Sequence, residues 1–255
     1  MSKPKLFTDS FIMFKRCFTK MLRSPETIVM ATLVPVFMMI MFGYVFGGVA
    51  QIEGYSYINF IVPGIILQCI ANASSATGLS LHNDMSTGVI DRFRSMAIAK
   101  SAVISGHVWV SVIRNMIIMT VTIGAAFIVG FRPTAGFVDW LIIAGILTLF
   151  IIAVTWIAVV IGLTAKNAES ITGGTFLLVV FTFLSSGFAP TDTLPVVLRV
   201  FAENQPMTPV IDSVRNLMLG MPMNGEITIA LAWCLGITIV AFIVAVQIYK
   251  RKLTR

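Results

Sequence analysis

The sequence predicts an all-α membrane protein with six transmembrane helices, and three observations carry that prediction. Only 11% of the 255 residues are charged while 57% are hydrophobic, whereas soluble domains carry about 25% charged residues. The few charges are also clustered: residues 27–52, 54–83, 140–165, 170–191 and 227–249 hold none, and 101–131 holds only Arg114. Each gap reaches the roughly 20 apolar residues that a helix needs to cross a hydrocarbon core of about 30 Å. Finally, the runs are continuously apolar rather than alternating. Lipid offers no partner to unpaired backbone groups, so these segments must be helices and not barrel strands.

The elements follow in order. Residues 1–25 mix Lys and Arg with aromatics, unlike a signal peptide. Phe7, Phe11, Phe14, Phe18 and Leu22 repeat on one helical face, which predicts an amphipathic helix lying in the headgroup plane. The spans are expected at 27–52, 57–82, 103–131, 139–165, 169–190 and 227–249. Between the second and third lies "DMSTGVIDRFRSMAIAKS", a short amphipathic helix over 84–99. Between the last two spans, Pro190, Pro195, Pro206 and Pro209 break the chain into short extracellular helices over 192–220. Leu194, Val197, Leu198 and Phe201 form one apolar face there; Val210, Ile211, Val214, Leu217 and Met218 form another. The whole chain reads as one transmembrane domain.

Lys and Arg set the orientation. With both termini cytoplasmic, fourteen fall inside and three outside, which the positive-inside rule favours decisively. The expected location is a bacterial cytoplasmic membrane, multi-pass.

No enzyme site can be assembled. The chain has no G-x-S-x-G and no Gly-rich phosphate loop. Cys17, Cys69 and Cys234 are far apart without C-x-x-C spacing, and His82 and His107 have no neighbouring ligands in sequence, so no metal site is expected and both histidines read as interfacial filler. No span carries the central carboxylate expected of an ion-coupled carrier. Arg114 is the single intramembrane charge; it either snorkels to the cytoplasmic interface or serves substrate or conformational change. Met38, Met39 and Phe42 in the first span, with Gln68 and Asn72 in the second, are candidates for a transport path, against ordinary helix packing.

The charged segment carries Val89, Ile90, Phe93 and Met96 or Ala97 as a helical stripe, with Asp91, Arg92, Arg94 and Ser95 on the rest. Such a helix either lies on headgroups or docks its anchors into a groove of a partner.

At this point the residues resemble a known family. "LHNDMSTGVIDRFRSMAIAKSAVISG" is similar to the cytoplasmic segment after the second span of ABC-2 type permeases, membrane subunits of ATP-binding-cassette exporters. "AKNAESITGGTFLLVVFTFLSSGFAPTDTLPVVLRVFAENQPMTPVIDSVRNLML" resembles the second hallmark of the daunorubicin-resistance branch, with its S-G-F-x-P, Leu-Pro, N-x-P and D-x-V-R elements. Asp84 and Asp91 depart from the Glu that relatives often carry.

The resemblance implies a half-transporter that pairs with a second permease copy, a homodimer or alternatively a heterodimer. A separate cytoplasmic ABC ATPase, holding ATP and Mg, would drive it; the chain itself has no cofactor. The coupling helix would present Asp84, Thr87, Gly88, Val89, Ile90, Asp91, Arg92, Phe93 and Arg94 to that ATPase. The extracellular helices would gate the outer end, adding Gly187 and Pro190 to the gate candidates. Expected partners are the ATPase, the second copy and membrane lipid, with no nucleic acid. The expected cargo is a hydrophobic or amphipathic small molecule, drug or antibiotic-like. The alternatives are a polysaccharide or lipid-linked glycan and, from another class, an ion-coupled carrier or channel without an ATPase.

Overall fold

The computed structural model describes residues 6–46, 51–52, 55–87 and 100–254 of the chain. Among these the elements run α1 (Leu6–Leu22), α2 (Pro25–Phe46), β1 (Gln51–Ile52), β2 (Tyr55–Ser56), α3 (Tyr57–Ser86) and α4 (Lys100–Val129). They continue with α5 (Phe137–Thr164), α6 (Ala168–Phe183), a 3-10 turn (Thr191–Thr193), α7 (Val196–Glu203), α8 (Met207–Leu219) and α9 (Glu226–Thr254). The described residues are all-α apart from a two-residue antiparallel ladder, Gln51↔Ser56 and Ile52↔Tyr55, which the sequence pattern did not announce.

Among the described residues, five helices are long and apolar enough to cross a membrane: Pro25–Val45, Tyr57–Ser86, Ile104–Val129, Phe137–Thr164 and Glu226–Lys252. The expected span at 169–190 is shorter, because α6 stops at Phe183 after 16 residues. At 1.5 Å per residue that is about 24 Å, short of a full hydrocarbon core. The stop is built by side chains. Ser185 Oγ donates to the Thr182 carbonyl, and the Gln205 amide donates to the carbonyls of Phe181 and Leu184, both at 2.9 Å. Helix-end acceptors that water would otherwise serve are thus satisfied inside the protein.

Helix α3 is the axis of the bundle. It has no single apolar stripe and is buried along most of its length, as a helix surrounded by others must be. Its polar side chains, such as Gln68, Thr77 and Asp84, bond to neighbouring helices. Three glycine contacts bring neighbours against it or its partners at backbone range. A Cβ on Gly64 would lie 2.6 Å from the Gly187 carbonyl oxygen, and one on Gly78 would lie 2.7 Å from that of Ala158 in α5. Gly106 of α4 similarly makes room for Met13 of α1. Small residues at such crossings let membrane helices gain dispersion contact.

One large apolar core surrounds α3. A second gathers Met13, Leu81, Ile104, Leu163 and Tyr249, so the start of the chain, the end of α3, the start of α4, the end of α5 and the end of α9 meet at one end of the bundle. We call this the α1 end.

The amphipathic patterns are oriented by this packing. Met13, Cys17 and Met21 form the innermost face of α1, with Phe14 and Phe18 of the expected stripe partly buried beside it. Phe11 and Leu22 face outward, where an interfacial helix would meet lipid. In α8 the expected stripe of Val210, Ile211, Val214, Leu217 and Met218 is buried throughout. In α7 the expected stripe is turned outward instead, with Val197 81% exposed; only Ala202 is buried on that helix.

At the opposite end Arg215 of α8 ties three segments together. Its Nε donates to the Phe60 carbonyl at 3.2 Å, Nη1 to Asp212 at 2.7 Å and Nη2 to the Ser186 carbonyl, while the guanidinium lies 3.9 Å from the Phe60 ring centroid. Burial pushes the Asp212 carboxyl upward, against the pull of Arg215 and of Ser186 Oγ. A lysine offers a single point donor in place of this fork. Arg215→Lys is therefore expected to cost about 1–2 kcal/mol, read as a lower melting temperature of the detergent-solubilised chain.

Candidate functional site

The chemistry-bearing side chains converge at the α1 end. Asp84, in the last turn of α3, is 3% exposed. Arg16 of α1 grips it with two bonds, Nη1 to Oδ2 at 2.8 Å and Nη2 to Oδ1 at 3.2 Å. Lys20, one turn along the same face, reaches Oδ1 at 3.4 Å, and His107 Nε2 of α4 stands 3.2 Å from Oδ2. The Asp84 hydrogen bond raises the already high pKa of Arg16, against the desolvation that lowers it. One carboxylate thus pins α1, α3 and α4 together.

Cys17 Sγ lies 3.8 Å from His107 Nδ1, and the donor atoms of Cys17, Asp84 and His107 lie within 4.8 Å of one another. The spacing would admit a metal ion, but the charge does not favour one. Both Asp84 oxygens are already committed to Arg16, Lys20 and His107, and an added cation would face Arg16 and Lys20 at close range.

Beside this cluster a cavity of about 120 Å³ runs between α1, the start of α2, α3 and α4. Ser24 and Thr27 stand at its more open side, and Lys20, Thr77, His107 and Arg114 line it. Arg114 is 7% exposed. Its Nη2 donates to the Ala73 carbonyl at 2.9 Å, to Thr77 Oγ1 at 2.6 Å and to Ser111 Oγ at 3.5 Å. Its Nε has no protein partner, and no carboxylate among the described residues pairs with it. The guanidinium is held by acceptors from α3, Ala73 and Thr77, and by Ser111 of its own helix.

The other sequence candidates scatter. Met39 is fully buried; Met38 accepts from Gln68 Nε2 at 3.5 Å; and Phe42 sits 6.0 Å from Phe188, ring to ring. Asn72 is half-buried on α3, its carbonyl accepting from Ser75 Oγ at 2.7 Å. Gly187 packs on the backbone of Gly64, and Pro190 precedes the 3-10 turn. Thr87 is exposed at the end of α3, its hydroxyl donating to Asn83 at 2.7 Å. Gly88, Val89, Ile90, Asp91, Arg92, Phe93 and Arg94 lie outside the described residues.

Sequence reasoning missed Arg16, Lys20, Cys17 and His107 as a unit, and took His107 for filler. The partners of Asp84 are 68 and 64 residues away, beyond any local spacing rule. A usable signal was present: Arg16 and Lys20 are one helical turn apart in an interfacial helix, and Asp84 is the first carboxylate after a charge-free run of thirty residues.

Comparison with known proteins adds the family context. Residues 8–219 match the model of the ABC-2 type transporter family. The daunorubicin resistance ABC transporter permease protein DrrB1 of Streptomyces coeruleorubidus is 27% identical over 230 residues, covering 89% of this chain and 81% of that protein. The probable doxorubicin resistance ABC transporter permease protein DrrC of Mycobacterium tuberculosis is 22% identical over 247 residues, 96% of this chain and 90% of the relative. The inner membrane transport permease YadH of Escherichia coli is 26% identical over 200 residues, covering 77% of each.

Proposed function

Because the chain belongs to the ABC-2 type transporter family, we propose that it is the permease subunit of an ATP-driven exporter that moves a hydrophobic or amphipathic small molecule out across a bacterial cytoplasmic membrane. The observation that carries this reading is the nearly full-length similarity to permeases named for daunorubicin and doxorubicin resistance. A separate ABC ATPase supplies the energy, and a second permease copy completes the path. In this reading α6 together with the turn that follows it makes the sixth crossing, and the α1 end faces the cytoplasm, in keeping with fourteen of eighteen Lys and Arg on that side.

Asp84, expected from sequence to open the coupling helix over 84–99 and to face the ATPase, is instead buried in the last turn of α3. Its ion pairs with Arg16, Lys20 and His107 would therefore brace the root of that segment against α1 and α4. Force delivered to Val89, Ile90 and Phe93 would then reach three helices at once rather than one.

Inside-out vesicles carrying the chain and the ABC ATPase that co-purifies with it should accumulate daunorubicin when ATP is added. Phe93→Asp places a charge in an apolar docking pocket and should abolish both accumulation and co-purification while leaving the chain folded. Accumulation without any ATPase would replace this reading with a carrier or channel; undiminished recovery of the ATPase with Phe93→Asp would make the segment a surface helix.

A further inference from the structure

Arg114 and the cavity it lines are not accounted for by the export reading. A guanidinium buried at span depth ordinarily faces a carboxylate or a water-filled path. Here it bonds a backbone carbonyl and two hydroxyls through Nη2, has no carboxylate partner among the described residues, and lines empty volume. Lys20 reaches the same cavity, and Ser24, Thr27, Thr77 and Ser80 add hydroxyl donors around it. Asp84 is gripped most closely by Arg16 and His107 and only at 3.4 Å by Lys20, so one carboxylate is shared among several cations and Arg114 keeps no counter-charge among the described residues.

The size selects among anions. About 120 Å³ is roughly the share of four water molecules in liquid, the scale of a single tetrahedral oxyanion and too small for a drug-sized cargo. The position selects further. The cavity opens at the turn between the interfacial helix α1 and α2, where lipid headgroups would lie. Basic pockets between transmembrane helices on the cytoplasmic side suit lipid phosphates.

We propose that this cavity is a binding site for one phosphate group, of a membrane phosphodiester headgroup or of free phosphate, with Arg114 as the buried cation, Lys20 as the cation at the mouth, and the Thr77 and Ser80 hydroxyls as donors to the remaining oxygens. The bound phosphate neutralises Arg114 and joins α1 to α3 and α4, whose residues line the cavity.

The test is thermal unfolding of the full chain in neutral detergent. One arm titrates phosphatidylglycerol against diacylglycerol with the same acyl chains, which differ by the phosphate headgroup. The other titrates sodium phosphate against sodium chloride at equal ionic strength. Wild type should be stabilised by phosphatidylglycerol and not by diacylglycerol if the source is lipid, or by inorganic phosphate if the source is free phosphate. Half-saturation should move at least about tenfold upward in Arg114→Gln. Lys20 is half-exposed, so Lys20→Gln folds even where Arg114→Gln does not, and it should also weaken binding. Failure of both ligands on wild type, or unchanged half-saturation in Lys20→Gln, overturns the site. ATP-driven efflux does not enter the readout, so failure here and failure of the export reading are separable.

Discussion

Asp84→Asn should loosen α1 from the bundle. The substitution keeps the shape and removes the charge that Arg16, Lys20 and His107 share. Removing one member of a fully buried ion pair costs about 3–5 kcal/mol, because the remaining charge is stranded. Arg16 and Lys20 keep 35% and 51% side-chain exposure, so water recovers part of the loss and about 2–4 kcal/mol is expected. The effect should be local first, since α1 is held to α4 by an apolar seam of Met13, Cys17 and Met21 against Gly106 and Val110, and the Asp84 ion pairs are what tie it to α3. Trypsin should cut after Arg16 and Lys20 at least about tenfold faster in the variant than in wild type, tracking the open population. Equal cleavage rates would mean that the apolar seam alone holds the helix.

Gly162→Val should separate α5 from α3 and give a large loss of stability. A Cβ on Gly162 would stand 2.6 Å from the Gly78 carbonyl oxygen and 2.9 Å from its Cα. Neither atom can swing aside as a side-chain tip would, so the two helices must move apart along the seam. Overpacking of this kind costs about 1–3 kcal/mol in a soluble core; the upper end applies here because the obstacle is backbone and valine adds further atoms. A drop of roughly 5–10 °C in melting temperature follows for a chain of this size, with Gly78→Leu expected to behave alike. Gly145→Ala, on the same helix but with nothing within 4 Å of its Cβ, should be neutral or slightly stabilising through helix propensity. A Gly162→Val protein that melts with wild type would show that the seam is wider than the structure has it.

The fold class was legible because its cause is local. A charge-free run of twenty or more residues has to be buried from water wherever it lies, so helices stand over five of the six expected spans. The sixth, α6, was overestimated because composition does not reveal a helix stop made from outside. Residues 184–190 read as apolar and small, yet Ser185 and Gln205 take the carbonyls that would have continued the helix. The stripes of α1 and α7 show a second limit. Periodicity identified the amphipathic helices but not which face meets protein and which is left outward, since in a membrane both environments are apolar.

The sequence by itself determined the class of the protein, the helical character of its described apolar segments, the buried face of α8 and the resemblance to the ABC-2 family. These follow from residue types at short spacing. Only the tertiary structure decided that Asp84 is a brace between three helices, that His107 belongs to it, that Gly64 and Gly78 are contact points and that Arg114 turns inward to line a cavity. Each of these joins residues dozens of positions apart across helix seams, and a charge in an apolar chain goes wherever the fold supplies its counter-charge or acceptor.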